Sequence, residues 1–305
     1  MSARLDVLGL GVVAVDDLLY VERYPPADAK EEVMRRERQC GGLTASALVA
    51  ASRLGSRCGY AGILGRDELS RFVIERFEAE GIDLSYLAVE DDGAPVHSTI
   101  IVDMRQGTRN IFYDIRGRVG AHPSVPDAQV IRASRVLFVD HFGIEGMIRA
   151  ARIARQAKIP VVADFERANV PRFAELLGLV DHLIVSRDFA AQLTGKPSAP
   201  EAALALWQEG REVVVVTCGA EGSWYVTRAQ APVHQAAFRV DALDTTGCGD
   251  VFHGAYASLL ARGEDVKERV RFASAAAAMK ATAAGGQAGV PTREAVAAFL
   301  KEHGT

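Results

Sequence analysis

The sequence is poor in cysteine and has no long apolar run. Of 305 residues four are cysteine: Cys40, Cys58, Cys218 and Cys248. They lie far apart with no Cys-x-x-Cys pair, which argues against a disulfide framework or zinc clip and for reduced thiols in a cytoplasmic setting. No uninterrupted apolar stretch approaches the ~20 residues a bilayer requires, so no membrane span is expected. The apolar run 8–15 has one Arg before it, Asp16-Asp17 behind it and no small-residue cleavage site, and so reads as a strand. Positive charge is not in excess either. With 35 Lys and Arg against 39 Asp and Glu, the net charge is -4, which offers no surplus to a phosphate backbone, and nucleic acid is not an expected partner. The seven histidines show no metal-ligand spacing. The Walker GxxxxGK[ST] loop, the protein-kinase HRD and DFG set, the GxSxG elbow and the HExxH zinc helix are all missing. Gly9-Leu10-Gly11 mimics a dinucleotide fingerprint, but acidic, aromatic and proline residues follow where that motif needs a helix.

What is present is strand-then-helix alternation. Apolar runs at 136–139, 159–163, 182–185 and 212–217 alternate with amphipathic stretches such as 145–157 and 201–209. That pattern predicts an α/β fold with a mostly parallel sheet covered by helices on both faces, and ligands at the carboxyl ends of its strands. The first 120 residues differ. Strand-like segments at 18–21 and 33–38 flank Tyr24-Pro25-Pro26, and segments at 99–103 and 109–114 flank Arg105-Gln106-Gly107. They read as a few antiparallel strands inserted around helices at 43–54 and 68–80, forming a small β-sheet lid from about 12–40 and 96–118 within one domain spanning 1–305. Exposed lid edges predict a homodimer in which lids pair.

The segment Asp244-Thr245-Thr246-Gly247-Cys248-Gly249-Asp250-Val251-Phe252-His253-Gly254-Ala255 carries the most chemical information. Two glycines free the backbone to bring successive N–H groups close to a ligand, and a helix follows, so unpaired N–H groups and the positive dipole end converge into an anion site. A carboxylate there repels phosphate, which makes Asp250 a poor binder but a sensible base for an acceptor hydroxyl. The bland alternative is a helix N-cap.

This segment closely resembles the C-terminal signature of the PfkB family of carbohydrate kinases, the group that includes ribokinase, fructokinase and adenosine kinase. Gly41-Gly42, Gly65-Arg66-Asp67 and Thr217-Cys218-Gly219-Ala220-Glu221-Gly222 resemble further family motifs in the same order. The resemblance covers roughly 5–300, and the C-terminal stretch is similar to the fructose and sulfofructose kinase branch. It implies a ribokinase-like fold and transfer of the ATP γ-phosphoryl group to a hydroxyl of a ketose-like sugar, neutral or phosphorylated. It implies Asp250 as base, Gly247, Cys248 and Gly249 as anion hole, and Thr217, Gly219 and Gly222 on the nucleotide side. Asp16, Lys30, Gly41, Gly42 and Ser46 fall on the substrate side. Asp244 and Thr246, with the Gly285-Gly286 turn, match the region where many members hold a monovalent cation such as K+, and Mg2+ would arrive with ATP. Three departures stand out: Cys248 for the usual Ala, Ser186-Arg187-Asp188-Phe189 for an Asn-x-x-Glu motif, and Ser46 for the ribose-binding Asn. A nucleoside kinase of the same fold and a catalytically silent scaffold are the other readings. Lys30, Arg105 and Arg109 read as solvated lid charges.

Overall fold

The computed structural model describes residues 4–228 and 230–303. The chain runs through β1 (Val7–Leu10), β2 (Ala14–Val21), β3 (Val33–Gly41) and α1 (Leu43–Arg53). β4 (Cys58–Tyr60), β5 (Ile63–Leu64), α2 (Glu68–Ala79), β6 (Ala88–Val89), β7 (Val96–Asp103) and β8 (Thr108–Asp114) follow. Alternation then sets in with α3 (Ala128–Ala133), β9 (Val136–Val139), α4 (Ile144–Gln156), β10 (Val161–Asp164), α5 (Phe173–Gly178) and β11 (His182–Ser186). Next come α6 (Arg187–Thr194), α7 (Ala199–Leu206), β12 (Val213–Thr217), β13 (Ser223–Thr227), β14 (Val233–Gln235), α8 (Cys248–Ala261), α9 (Val266–Ala281) and α10 (Arg293–His303).

Eight strands form the large sheet in the order β14-β13-β12-β11-β10-β9-β1-β4, parallel from β4 to β12 and antiparallel at the β13 and β14 edge. Its strands are short and apolar on both faces because both faces are covered. Within β9, Val136 and Phe138 enter one core with α1, α2, α8, α9 and α10, while Leu137 and Val139 enter the other with α3 to α7. Each fully buried large apolar side chain contributes about 1.5–3 kcal/mol, so a strand serving two cores is apolar along most of its length, with His182 in β11 and Asp164 at the end of β10 among the buried exceptions.

A second, four-stranded sheet stands apart in the order β3-β2-β7-β8. Its outer pairs are antiparallel, but the central β2–β7 pair is parallel, which corrects the expectation of antiparallel strands throughout. A four-residue turn joins β7 to β8, and an eleven-residue loop joins β2 to β3. Between β3 and β7, by contrast, the chain passes through the body of the molecule, and so long a crossover lets β7 return in the direction of β2.

The apolar run 8–15 is likewise not one strand. It breaks between β1 and β2, handing the chain from the large sheet to the small one. The cause is the buried carboxylate of Asp140 at the end of β9. It accepts from Val12 N at 2.7 Å, Phe142 N at 2.7 Å and the Thr44 hydroxyl at 2.8 Å. A Cβ at Gly11 would lie 2.1 Å from Asp140 Oδ2, so only glycine lets the chain pass so close. Burial pushes the Asp140 carboxyl up to about 7.

Candidate active site

Helices α1 and α8 pack side by side so closely that a Cβ on Gly254 would lie 2.1 Å from the carbonyl oxygen of Ala47. Small residues make this possible: α1 buries Ala45, Ala47, Ala50 and Ala51, α8 buries Gly254, Ala255 and Ala257, and Gly254 faces Ala47 and Ala50. As a result both helix N-termini open into one cleft of about 870 Å³ between the two sheets. Their N-cap residues are Gly42 at φ 97° and Gly247 at φ 75°, and neither is capped by a side chain. Unpaired N–H groups of two helices therefore converge, each N-terminus equivalent to about half a positive charge.

Asp250 lies in the first turn of α8 and is not its N-cap. Its carboxyl is held well above the usual carboxylate range by burial first, then by the neighbouring charges of Asp164 and Glu166, with the Ser46 hydroxyl opposing. Asp164, at the end of β10, is also raised by burial, opposed by His253, whose Nδ1 lies 3.4 Å from Asp164 Oδ2. The ring of His253 also faces Gly249 O at 2.8 Å and Ile184 O at 3.0 Å, which ties the first turn of α8 to β11. Across the cleft, Asp16 in β2 is raised by burial and opposed by Ser98 and His97. It is a strand residue facing the cleft, not a turn residue.

The structure brings most of the sequence-derived candidates together. Asp16, Gly41, Gly42, Ser46, Asp244, Thr246, Gly247, Gly249 and Asp250 all line the cleft. Cys248 starts α8 beside them, half-buried, with its thiol raised by burial. Thr217 and Gly219 line a separate depression of about 460 Å³ together with Ser186, Arg187 and Asp188. Gly222, at φ 93°, closes the β12–β13 turn, its carbonyl accepting from Cys218 N at 2.7 Å. Lys30 is not brought in: it sits exposed on the loop between β2 and β3 and lines neither cavity. Arg109, read as solvated, is exposed, and its guanidinium also donates to the Thr246 hydroxyl and lies 3.6 Å from Asp244 Oδ1. Sequence reasoning also missed Glu166 and Arg167. The charged run after β10 was their only signal, at a strand carboxyl end where ligands are expected.

At the Asn-x-x-Glu position, Ser186 Oγ is engaged by Phe189 N at 3.2 Å, and the Phe189 ring is buried against Phe173. Among the described residues no group of three or more His, Cys, Asp and Glu is arranged to hold a metal. These side chains fit a magnesium ion carried in on phosphates and waters, not one held in a protein cage. No helix among the described residues is long and apolar enough to cross a membrane.

Comparison with known proteins matches residues 9–293 to the pfkB family carbohydrate kinase model. A ribokinase of Haemophilus influenzae is 28% identical over 271 residues, spanning 86% of this chain and 87% of the relative. The aminoimidazole riboside kinase of Salmonella typhimurium is 28% identical over 284 residues, with 86% and 88% covered. Among solved structures, the ribokinase of Thermotoga maritima superposes with a TM-score of 0.84 at 25% identity, covering 97% of this chain and 99% of that one. A match across nearly the whole chain, with the converging helix N-termini and the carboxylate between them, means that the protein belongs to the pfkB family of carbohydrate kinases, phosphotransferases with an alcohol acceptor.

Proposed function

We propose that the protein transfers the γ-phosphoryl group of ATP to a hydroxyl of a ketose-like sugar, with Asp250 as the general base. One observation carries this reading: Asp250 stands in the first turn of a helix whose N-terminus is open, in a cleft where a second helix N-terminus also opens. Phosphate charge belongs at those N–H groups, and a carboxylate beside them serves only if it takes a proton from an attacking hydroxyl. The carboxylate accepts that proton as the oxygen attacks, while the N–H groups of Gly247 and Gly249 meet the charge on the transferring group; the N–H of Cys248, expected in the same role, already donates to Thr245 O at 3.2 Å. Asp16 and Ser98, opposite in the smaller sheet, hold acceptor hydroxyls, and the smaller sheet is the lid that excludes water. The nucleotide lies along Thr217, Gly219 and Gly222. Magnesium, held by the phosphates, neutralises their charge when bound.

Arg167 bears on the acceptor. It donates to the Tyr113 hydroxyl at 3.0 Å, lines the cleft and forms no ion pair among the described residues. A guanidinium without a carboxylate is a ready partner for an anionic substituent, so a phosphorylated ketose is favoured over a neutral one. A coupled ADP-release screen of sugars, sugar phosphates, sugar acids and nucleosides tests this. A preference of about tenfold or more in kcat/KM for a nucleoside over every sugar overturns the sugar reading.

A further inference from the structure

Beside Asp244 and Thr246, where the family resemblance implies a monovalent cation, the chain carries a cation of its own. Lys280 lies in the last turn of α9 with 0% of its surface exposed, and its Nζ donates to the carbonyl oxygen of Asp244 at 2.8 Å. The side-chain oxygens of Asp244 and Thr246 are already engaged. Asp244 Oδ1 accepts from Thr246 N and Oδ2 from Gly285 N, both at 2.8 Å. Arg109 adds a second fixed positive charge 3.6 Å from Oδ1 and occupies the Thr246 hydroxyl. A potassium ion binds by exchanging its water shell for several free oxygens, and two neighbouring cations oppose its entry.

We propose that Lys280 replaces the monovalent cation, so that this kinase works without potassium. The ammonium is a compact charge with three donors, suited to gathering carbonyl oxygens as an alkali ion does. Its loop is stapled to the same helix end, since Leu243 N and Asp244 N both donate to Ala281 O, at 2.8 and 3.0 Å. Three residues further on, Gly247 is the N-cap of α8 and sets the direction of the N–H groups that receive phosphate. Lys280 touches no reacting atom in this arrangement. It is a positioning residue, acting through the loop 244–247.

The inference rests on the phosphotransfer activity for one arm of its test only. In the kinetic arm, turnover is compared in potassium chloride and choline chloride at equal ionic strength. Wild-type kcat/KM is expected to change by less than about twofold. Lys280→Ala is expected to lose about tenfold or more of kcat in choline and to regain most of it in potassium but not in sodium. In the melting arm, which needs no acceptor, wild type with a non-hydrolysable ATP analogue should melt within about 1 °C in the two salts, because a bound ion would stabilise by mass action. Potassium activation or potassium-specific stabilisation of wild type overturns the proposal, whether or not the variant folds. So does a folded Lys280→Ala protein that is unresponsive to potassium.

Discussion

As the proposed base, Asp250 has to meet two demands that pull against each other: it must lose its proton, yet burial and the charges of Asp164 and Glu166 favour keeping it. Asp250→Asn keeps size and polarity while removing the base. Turnover should fall by about 10²–10⁴-fold while ATP binding by calorimetry persists, and a variant with wild-type turnover would make Asp250 structural. The raised carboxyl also predicts a pH dependence. Since the active form is deprotonated, kcat/KM should rise with pH along a limb lying above the ordinary carboxylate range. Glu166 contributes to that elevation, so Glu166→Gln lowers the Asp250 pKa and should move the limb to lower pH. A limb that stays in place, or moves upward, would show that Glu166 does not act on Asp250. The place of Asp250 in the first turn of a helix behind a glycine turn was legible in the sequence, because the glycines beside it and the helix after it are local signals; its burial beside Asp164, Glu166 and Ser46 was not. Lys280 was not, because nothing near it in an alanine-rich helix names Asp244, 36 positions away, as the group it meets.

Helix pairing sets the site at the next scale up, because the cleft owes its two open N-termini to the close approach of α1 and α8. Gly254 permits that approach. A Cβ there would also press on Ala50 Cβ at 2.8 Å, so Gly254→Ala must push the helices apart or shift one along the other. The expected cost is about 1–3 kcal/mol of stability, with a loss of kcat because the N–H groups of the two helices no longer point at one phosphate. Unchanged melting together with unchanged kcat would show that the spacing is not needed. In the α/β half the strands read at 136–139, 159–163, 182–185 and 212–217 correspond to β9, β10, β11 and β12, whereas α5, α6, β13 and β14 carried no reading. The strand read at 136–139 is β9 residue for residue, and the helix read at 68–80 is α2 with its C-cap. These elements answer to burial on both faces or along one stripe, which composition records directly. The break at Gly11 and the parallel β2–β7 pair were not readable. Each depends on a contact made far along the chain, Asp140 with Val12 and β7 with β2.

Taken as a whole, the molecule keeps its apolar surface in two cores but leaves part of the smaller sheet bare. Strand β8 is exposed along nearly its whole length and forms a free edge, as does β3. Ile111 and Tyr113 point into the cleft, so by alternation Phe112 points away from it, 53% exposed, and Met34 on β3 is 60% exposed. An open edge flanked by exposed apolar side chains invites pairing with another strand, and a second copy of the same sheet supplies a matching edge and a matching apolar face. We therefore propose a homodimer through the smaller sheets. Sedimentation at micromolar concentration should give twice the chain mass of 32.7 kDa. Phe112→Glu should shift the equilibrium to monomer without altering the melting of the large sheet, because a charge on that face must be desolvated to pair. If wild type sediments as a monomer, the bare face has some other use. If Phe112→Glu stays dimeric, the copies meet elsewhere.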